Sequence, residues 1–405
     1  MDKSWRKDTA LFLVSQTLSL FGSSLVQYAI VWYITLQTKS GLVMMIYILC
    51  GFVPTFFMSF FAGVWADRYS RKLLIALSDS AIALSTLLLA ILYYGGYEAL
   101  WLLFVISSVR ALGAGVQTPA VNAFIPQLVP VDKLTRVNAI NGSIQSAIMI
   151  VSPMVSGALL MVADIKTIFL IDVITAAIGV FVLLFKVPAR EKPEADHKSS
   201  YFEDMRLGFM YIKNHGFVKR FFVFCIFFLF MISPAAFLTP IQVARNYGSE
   251  YFYLTAIEIA FASGMLGGGF IMSAWGGFKN RVHTMAASTL LISFSTLLLG
   301  FPLDFKLYIL VMALAGLSIP FFNTPSVVLI QEKVEDDYLG RIFGVFGMIS
   351  SSVMPLGMLV FGPAADVVKI EYLLIGTGVL LFAEGLLLFA SKTMREAGAV
   401  KKQTQ

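Results

Sequence analysis

The stretch Gly63–Lys72, reading GVWADRYSRK, decides the fold of this 405-residue chain. It lies between two long apolar runs, near 42–66 and 73–94. Four charges, Asp67, Arg68, Arg71 and Lys72, crowd a connection too short to be a domain. Charge of that density between two bilayer-spanning helices must lie at a membrane face. An excess of Arg and Lys points to the cytoplasmic face.

The pattern of long apolar runs continues along the whole chain. The sequence is 58% hydrophobic and 13% charged, whereas a soluble domain carries about 25% charged residues. A helix needs about 20 apolar residues to cross roughly 30 Å of hydrocarbon. Twelve stretches are long enough, near 9–37, 42–66, 73–94, 99–122, 137–163, 167–186, 218–243, 252–275, 283–302, 306–329, 341–366 and 372–391. They must be helical, because lipid cannot satisfy backbone amides. The first is too long for the apolar core of a cleaved signal.

Position explains the net charge of +6. With both termini placed in the cytoplasm, 24 of the 30 Lys and Arg fall at the N-terminus, the inner loops, the central linker and the C-terminus. Five fall in the outer loops (Lys39, Lys166, Arg245, Lys306 and Lys369), and Arg110 remains inside a span. That asymmetry orients the chain and removes nucleic acid as the reason for its basicity. Cys50 and Cys225 lie inside spans and read as small apolar residues. The sequence has no G-x-x-x-x-G-K-[ST], G-x-S-x-G or H-E-x-x-H motif and no metal-ligand spacing, so no cofactor and no enzymatic activity are expected.

The long polar segment 187–217 divides the spans into six and six. The expected domains are a six-helix bundle over 1–186, a linker over 187–217, and a second bundle with a short tail over 218–405. Within the linker, Phe202, Met205, Phe209 and Ile212 fall at helical spacing, which predicts an amphipathic helix on the inner face. The halves also resemble each other. TPAVNAFIPQLVPVDKLTRVNAI (118–140) and TPSVVLIQEKVEDDYLGRIFGV (324–345) each run from Thr-Pro through an acidic turn to Leu-x-Arg. A duplicated six-helix unit is the plan of a two-fold-related transporter.

Ionisable residues inside spans are costly and functional by default. Here they are Asp79, Arg110, Asp172, Glu258 and Glu384. Polar stripes accompany them. Gln16, Ser19, Ser23 and Gln27 share a face of the first span, Ser107, Arg110 and Gln117 one of the fourth, and Asn138, Asn141, Gln145, Ser152 and Ser156 one of the fifth. Such faces meet protein or water, and the serines also suit helix-to-helix contact. The expected substrate cavity is lined by Gln16, Ser23, Gln27, Ser107, Gln117, Asn141 and Gln145. Arg110 lacks an acid on its own helix, so its partners must come from neighbouring helices or from carbonyl and amide groups. Gln16, Gln27, Asn141 and Gln145 are the near candidates. The phenylalanines of the seventh span, Phe221 to Phe230, read mainly as packing against lipid.

The opening turn resembles the loop between helices 2 and 3 of major facilitator superfamily transporters, G-x-x-x-D-[RK]-x-x-[RK]-[RK]. Gly63, Asp67, Arg68, Arg71 and Lys72 fill that pattern, and the resemblance implies a conformational lock. It also implies that the third, sixth, ninth and twelfth helices are supports, which gives Asp79, Asp172 and Glu384 structural roles. Arg110, followed by glycines at +3 and +5, partly resembles the helix-4 motif R-x-x-x-G of proton-coupled antiporters. Ser152-Pro153 and Ser156-Gly157 resemble the helix-5 motif G-x-x-x-G-P-x-x-G-G, in which Pro153 and Gly157 provide a kink. Together, residues 118–160, ASGMLGGG at 262–269 and LGRIFG at 339–344 resemble the macrolide-efflux branch of the superfamily.

The expectation is an all-α membrane protein with twelve transmembrane helices in two six-helix bundles. It would be a monomer in a prokaryotic cytoplasmic membrane, exporting an amphiphilic drug such as a macrolide in exchange for protons. Proton coupling falls to Arg110 and Glu258, with Asp79 next. The alternatives keep the fold and change the cargo to a tetracycline-like drug, a siderophore or a lipid, or replace transport by a membrane sensor.

Overall fold

The structure is a computed structural model that describes residues 4–188 and 201–399. It is all-helical, and twelve of its helices are long and apolar enough to cross a membrane. The first six of these are α1 (Ser4–Thr38), α2 (Gly41–Arg68), α3 (Arg71–Tyr94), α4 (Leu100–Leu128), α5 (Leu134–Val162) and α6 (Ile165–Lys186). A shorter helix, α7 (Tyr201–Asn214), precedes the second six. Those are α8 (Gly216–Asn246), α9 (Tyr251–Trp275), α10 (Arg281–Leu299), α11 (Phe305–Lys333), α12 (Asp336–Val367) and α13 (Ile370–Ala390). The short α14 (Lys392–Gly398) follows them. The chain divides into two compact units.

The first unit comprises residues 1–38, 46–197 and 250–255. In it α1 packs on α5 and α6, and α3 on α4 and α6. Phe12, Ile75, Phe124, Leu128 and Leu183 form one apolar cluster of this unit. The basic turn between α2 and α3 is tied down by its cations. Lys72 donates to the carbonyls of Leu184 (2.9 Å) and Val187 (2.7 Å) at the end of α6. The last carbonyls of a helix have no partner within it, and the negative end of the helix dipole favours a cation there. Arg71 donates to Ala66 O (3.1 Å) in α2 and Ala123 O (2.6 Å) in α4.

The second unit comprises residues 39–45, 198–249 and 256–405. In it α10 packs on α11 and α13, and α8 on α12 and α13. Three phenylalanines of α8 depart from the lipid-facing expectation, while Phe227 is exposed as that expectation requires. Phe221, Phe222 and Phe228 are buried in the core, and Phe228 stacks on Phe322 with centroids 4.0 Å apart. Phe221 and Phe222 pack against Phe346 of α12, so burial there replaces exposure to lipid. The amphipathic linker helix is present as α7, and it packs on α12. Tyr211 stacks on Tyr338 (4.6 Å), and Met205 and Ile212 join the core while Phe209 stays exposed. The side chain of Phe202 lies outside the described residues.

Two close contacts shape this unit. The first turn of α2 is capped by Asp366, which accepts from Ser40 Oγ (2.6 Å) and from the amides of Gly41 (2.8 Å) and Leu42 (2.9 Å). Arg245 pairs with Asp366 (2.9 Å) and donates to the carbonyls of Lys39 and Ala365. The second contact joins α9 to α11, backbone against backbone. A Cβ on Gly264 would lie 1.9 Å from Ala313 O, one on Gly268 2.1 Å from Leu317 O, and one on Gly316 2.0 Å from Phe261 O.

Candidate functional site

In the first unit, α1, α3, α4 and α6 bring their polar side chains to one buried cluster. Thr86 lies eight residues before the end of α3, Arg110 ten after the start of α4 and Asp172 seven after the start of α6. Successive spans run in alternating directions, so these counts place the three groups at similar depth. Arg110 Nη1 meets Asp172 Oδ2 at 2.5 Å, and the side chains are 11% and 0% exposed. Thr86 donates to the same oxygen (2.9 Å), and Ser23 donates to Oδ1 (3.2 Å). Arg110 also bonds to Thr86 Oγ1 and donates through Nη2 to Ser23 O (3.0 Å). The planar guanidinium thus engages three helices, which a point-charge ammonium cannot do.

The expected partners of Arg110 need correction. The amides of Gln16, Gln27, Asn141 and Gln145 are not the groups that hold it. An acid on α6 satisfies it more fully, because a buried charge needs an opposite charge as well as hydrogen bonds. Gln16 instead accepts from Gln117 Nε2 (2.8 Å), which links α1 to α4. The structural role expected for Asp172 is a contact between helices, and the structure supplies one to Arg110.

A third ionisable group is buried in the same unit. Asp79 lies on α3, seven residues before Thr86 and so on the same helix face. It is 3% exposed and lies beside Ser19 and Gln16 of α1. Its Oδ2 has no partner among the described residues. A buried carboxylate with an unpartnered oxygen can take up a proton while still enclosed.

The remaining expected residues are more dispersed. Ser107 is buried and Gln117 half-buried, whereas Gln27 and Gln145 are exposed and Asn141 half-buried. On α5, which continues through Pro153, Ser156 donates to Leu25 O (3.0 Å). Gly157 is packed so closely that a Cβ would lie 1.9 Å from Thr255 Oγ1 and 2.8 Å from Trp32. Glu258 is half-buried on α9, and Glu384 is buried on α13 with neither oxygen hydrogen-bonded among the described residues. Of the opening turn, Arg68 is exposed, and Arg71 and Lys72 make the contacts given above. The surroundings of Gly63 and the side chain of Asp67 lie outside the described residues. Among the described residues no group of three His, Cys, Asp or Glu is placed to hold a metal.

Sequence reasoning misses Thr86 and the pairing role of Asp172. Matching depths along the helices would find both, since Arg110 requires an acid at its own level.

Residues 12–358 match the Major Facilitator Superfamily. The chain is 28% identical over 381 residues to Macrolide efflux protein A of Streptococcus pyogenes, covering 93% of this chain and 94% of that protein. It is 29% identical over 313 residues to Macrolide efflux protein A of Enterococcus faecalis, covering 76% and 97%. Its fold is similar to that of the nucleoside transporter NupG, with a TM-score of 0.67, 16% identity and coverage of 96% and 99%. The chain belongs to the Major Facilitator Superfamily and is a multi-pass membrane transporter.

Proposed function

We propose that the protein exports amphiphilic drugs, macrolides among them, across a bacterial cytoplasmic membrane in exchange for protons, with both termini in the cytoplasm. The observation that carries this reading is the similarity to Macrolide efflux protein A, which extends over 93% of the chain. The buried acid–base cluster of the first unit supports the proton half. An ionisable residue within a span is expensive and is retained where it does work. Arg110, Asp79 and Glu258 are the proton-coupling candidates. Gln16, Ser23, Gln27, Ser107, Gln117, Asn141 and Gln145 are the cavity candidates. Cargo leaves as protons enter down their gradient, and the site must take both in turn.

The test is drug susceptibility of an efflux-deficient bacterium expressing the chain, with and without a protonophore. Macrolide resistance that the protonophore abolishes is the expected result. Resistance confined to tetracyclines, or growth effects limited to siderophore supply, would change the cargo. Resistance indifferent to the protonophore would remove antiport.

A further inference from the structure

The three ionisable groups buried in the first unit are not equivalent. Asp172 is saturated, receiving Arg110, Thr86 and Ser23 on its two oxygens. Arg110 is likewise committed, to Asp172, Thr86 and the Ser23 carbonyl. Asp79 is enclosed to 3% exposure and keeps Oδ2 without a partner among the described residues. With both acids ionised, these three buried groups carry two negative charges and one positive. A net charge enclosed in an apolar bundle is costly, and one proton removes it.

The surroundings decide which acid takes that proton. Protonating Asp172 would disrupt a charge-assisted pair and leave Arg110 uncompensated. Protonating Asp79 sacrifices no ion pair and fills a vacant oxygen. Its flanking groups are the uncharged Ser19 and Gln16 of α1 and, on α6, the charge of Asp172.

We propose that Asp79 is the proton-binding site of this transporter and that Arg110–Asp172 is a fixed pair beside it. The proposal rests on the proton-antiport reading and assigns it to one oxygen atom. The proton settles on the unpartnered Oδ2, and the only covalent bond formed is the O–H of Asp79.

The test uses the full chain purified in detergent and, separately, in proteoliposomes. Infrared difference spectra between acid and alkaline pH report protonated carboxyl groups with no cargo present. The expected result is that Asp79→Asn removes one carboxyl band and abolishes uphill macrolide accumulation while downhill exchange persists. Asp79→Glu should keep a carboxyl band, shifted in frequency, which preserves the test if Asp79→Asn folds poorly. A band that survives Asp79→Asn and disappears in Asp172→Asn or Glu258→Gln overturns the proposal. Intact coupling in Asp79→Asn does the same. A wild-type protein that shows the Asp79 band and moves no macrolide retains the proton site and ends the antiport reading instead.

Discussion

Arg110 and Asp172 meet at 2.5 Å across α4 and α6, although 62 residues separate them in sequence. The acid is fully enclosed, so neither partner can recover solvation if the other is removed. Arg110→Ala and Asp172→Asn should each lower stability by about 3–5 kcal/mol, because each leaves an uncompensated buried charge or donor set. Combining Arg110→Ala with Asp172→Ala should cost less than the sum of the single changes. Thermal unfolding in detergent measures this, and strict additivity would refute the coupling. Arg110→Lys should retain more stability than Arg110→Ala yet cripple export, since an ammonium cannot span Asp172, Thr86 and the Ser23 carbonyl together.

Arg71 bridges Ala66 O and Ala123 O, joining the last turn of α2 to α4. Arg71→Lys should lose one of these bonds and slow transport. Asp67→Asn is expected to slow transport while leaving cargo affinity intact, because removing a charge that favours one conformer shifts the conformational equilibrium. Initial rates compared with equilibrium binding separate the two effects. Wild-type rates in both variants would dismiss the lock.

Asp366 caps the first turn of α2 through two backbone amides and the Ser40 hydroxyl. Asp366→Ala should cost about 0.5–2 kcal/mol, the range for loss of an N-cap, with a further loss from the unpaired Arg245. Asp366→Asn should cost less, because its amide oxygen can still accept from Gly41. Equal melting temperatures for wild type and Asp366→Ala would contradict the cap.

Two glycines of α5 should respond oppositely to alanine. Gly157 has Thr255 and Trp32 within 3 Å of any added Cβ, whereas Gly142 has nothing within 4 Å. Gly157→Ala should destabilise by about 1–3 kcal/mol through overpacking. Gly142→Ala should be neutral or stabilise by roughly 0.5–1 kcal/mol through helix propensity. Paired thermal melts decide, and the same sign in both would remove the packing argument.

The twelve spans are legible in the sequence because length and apolar content are local properties, and lipid admits only one backbone solution for them. The α7 helix is legible from the spacing of Met205 and Ile212. Pairings between distant helices are not. Hydropathy marks Asp172 as an expensive residue, but no local pattern shows that it faces Arg110 across 62 positions. The burial of Phe221, Phe222 and Phe228 is hidden for a related reason. Lipid and protein interior are equally apolar, so composition cannot separate the two sides of such a helix.

The glycine contact between α9 and α11 has a bearing on how this protein can diversify. An interface filled by side chains tolerates exchange, because one residue shrinks as its neighbour grows. At Gly264, Gly268 and Gly316 the neighbouring carbonyl oxygen occupies the place of the first carbon, so no compensating exchange exists. The two helices are spliced into a single girder whose seam admits one amino acid. Inherited variation along α9 and α11 must therefore accumulate on their other faces, where substitutions leave the join untouched.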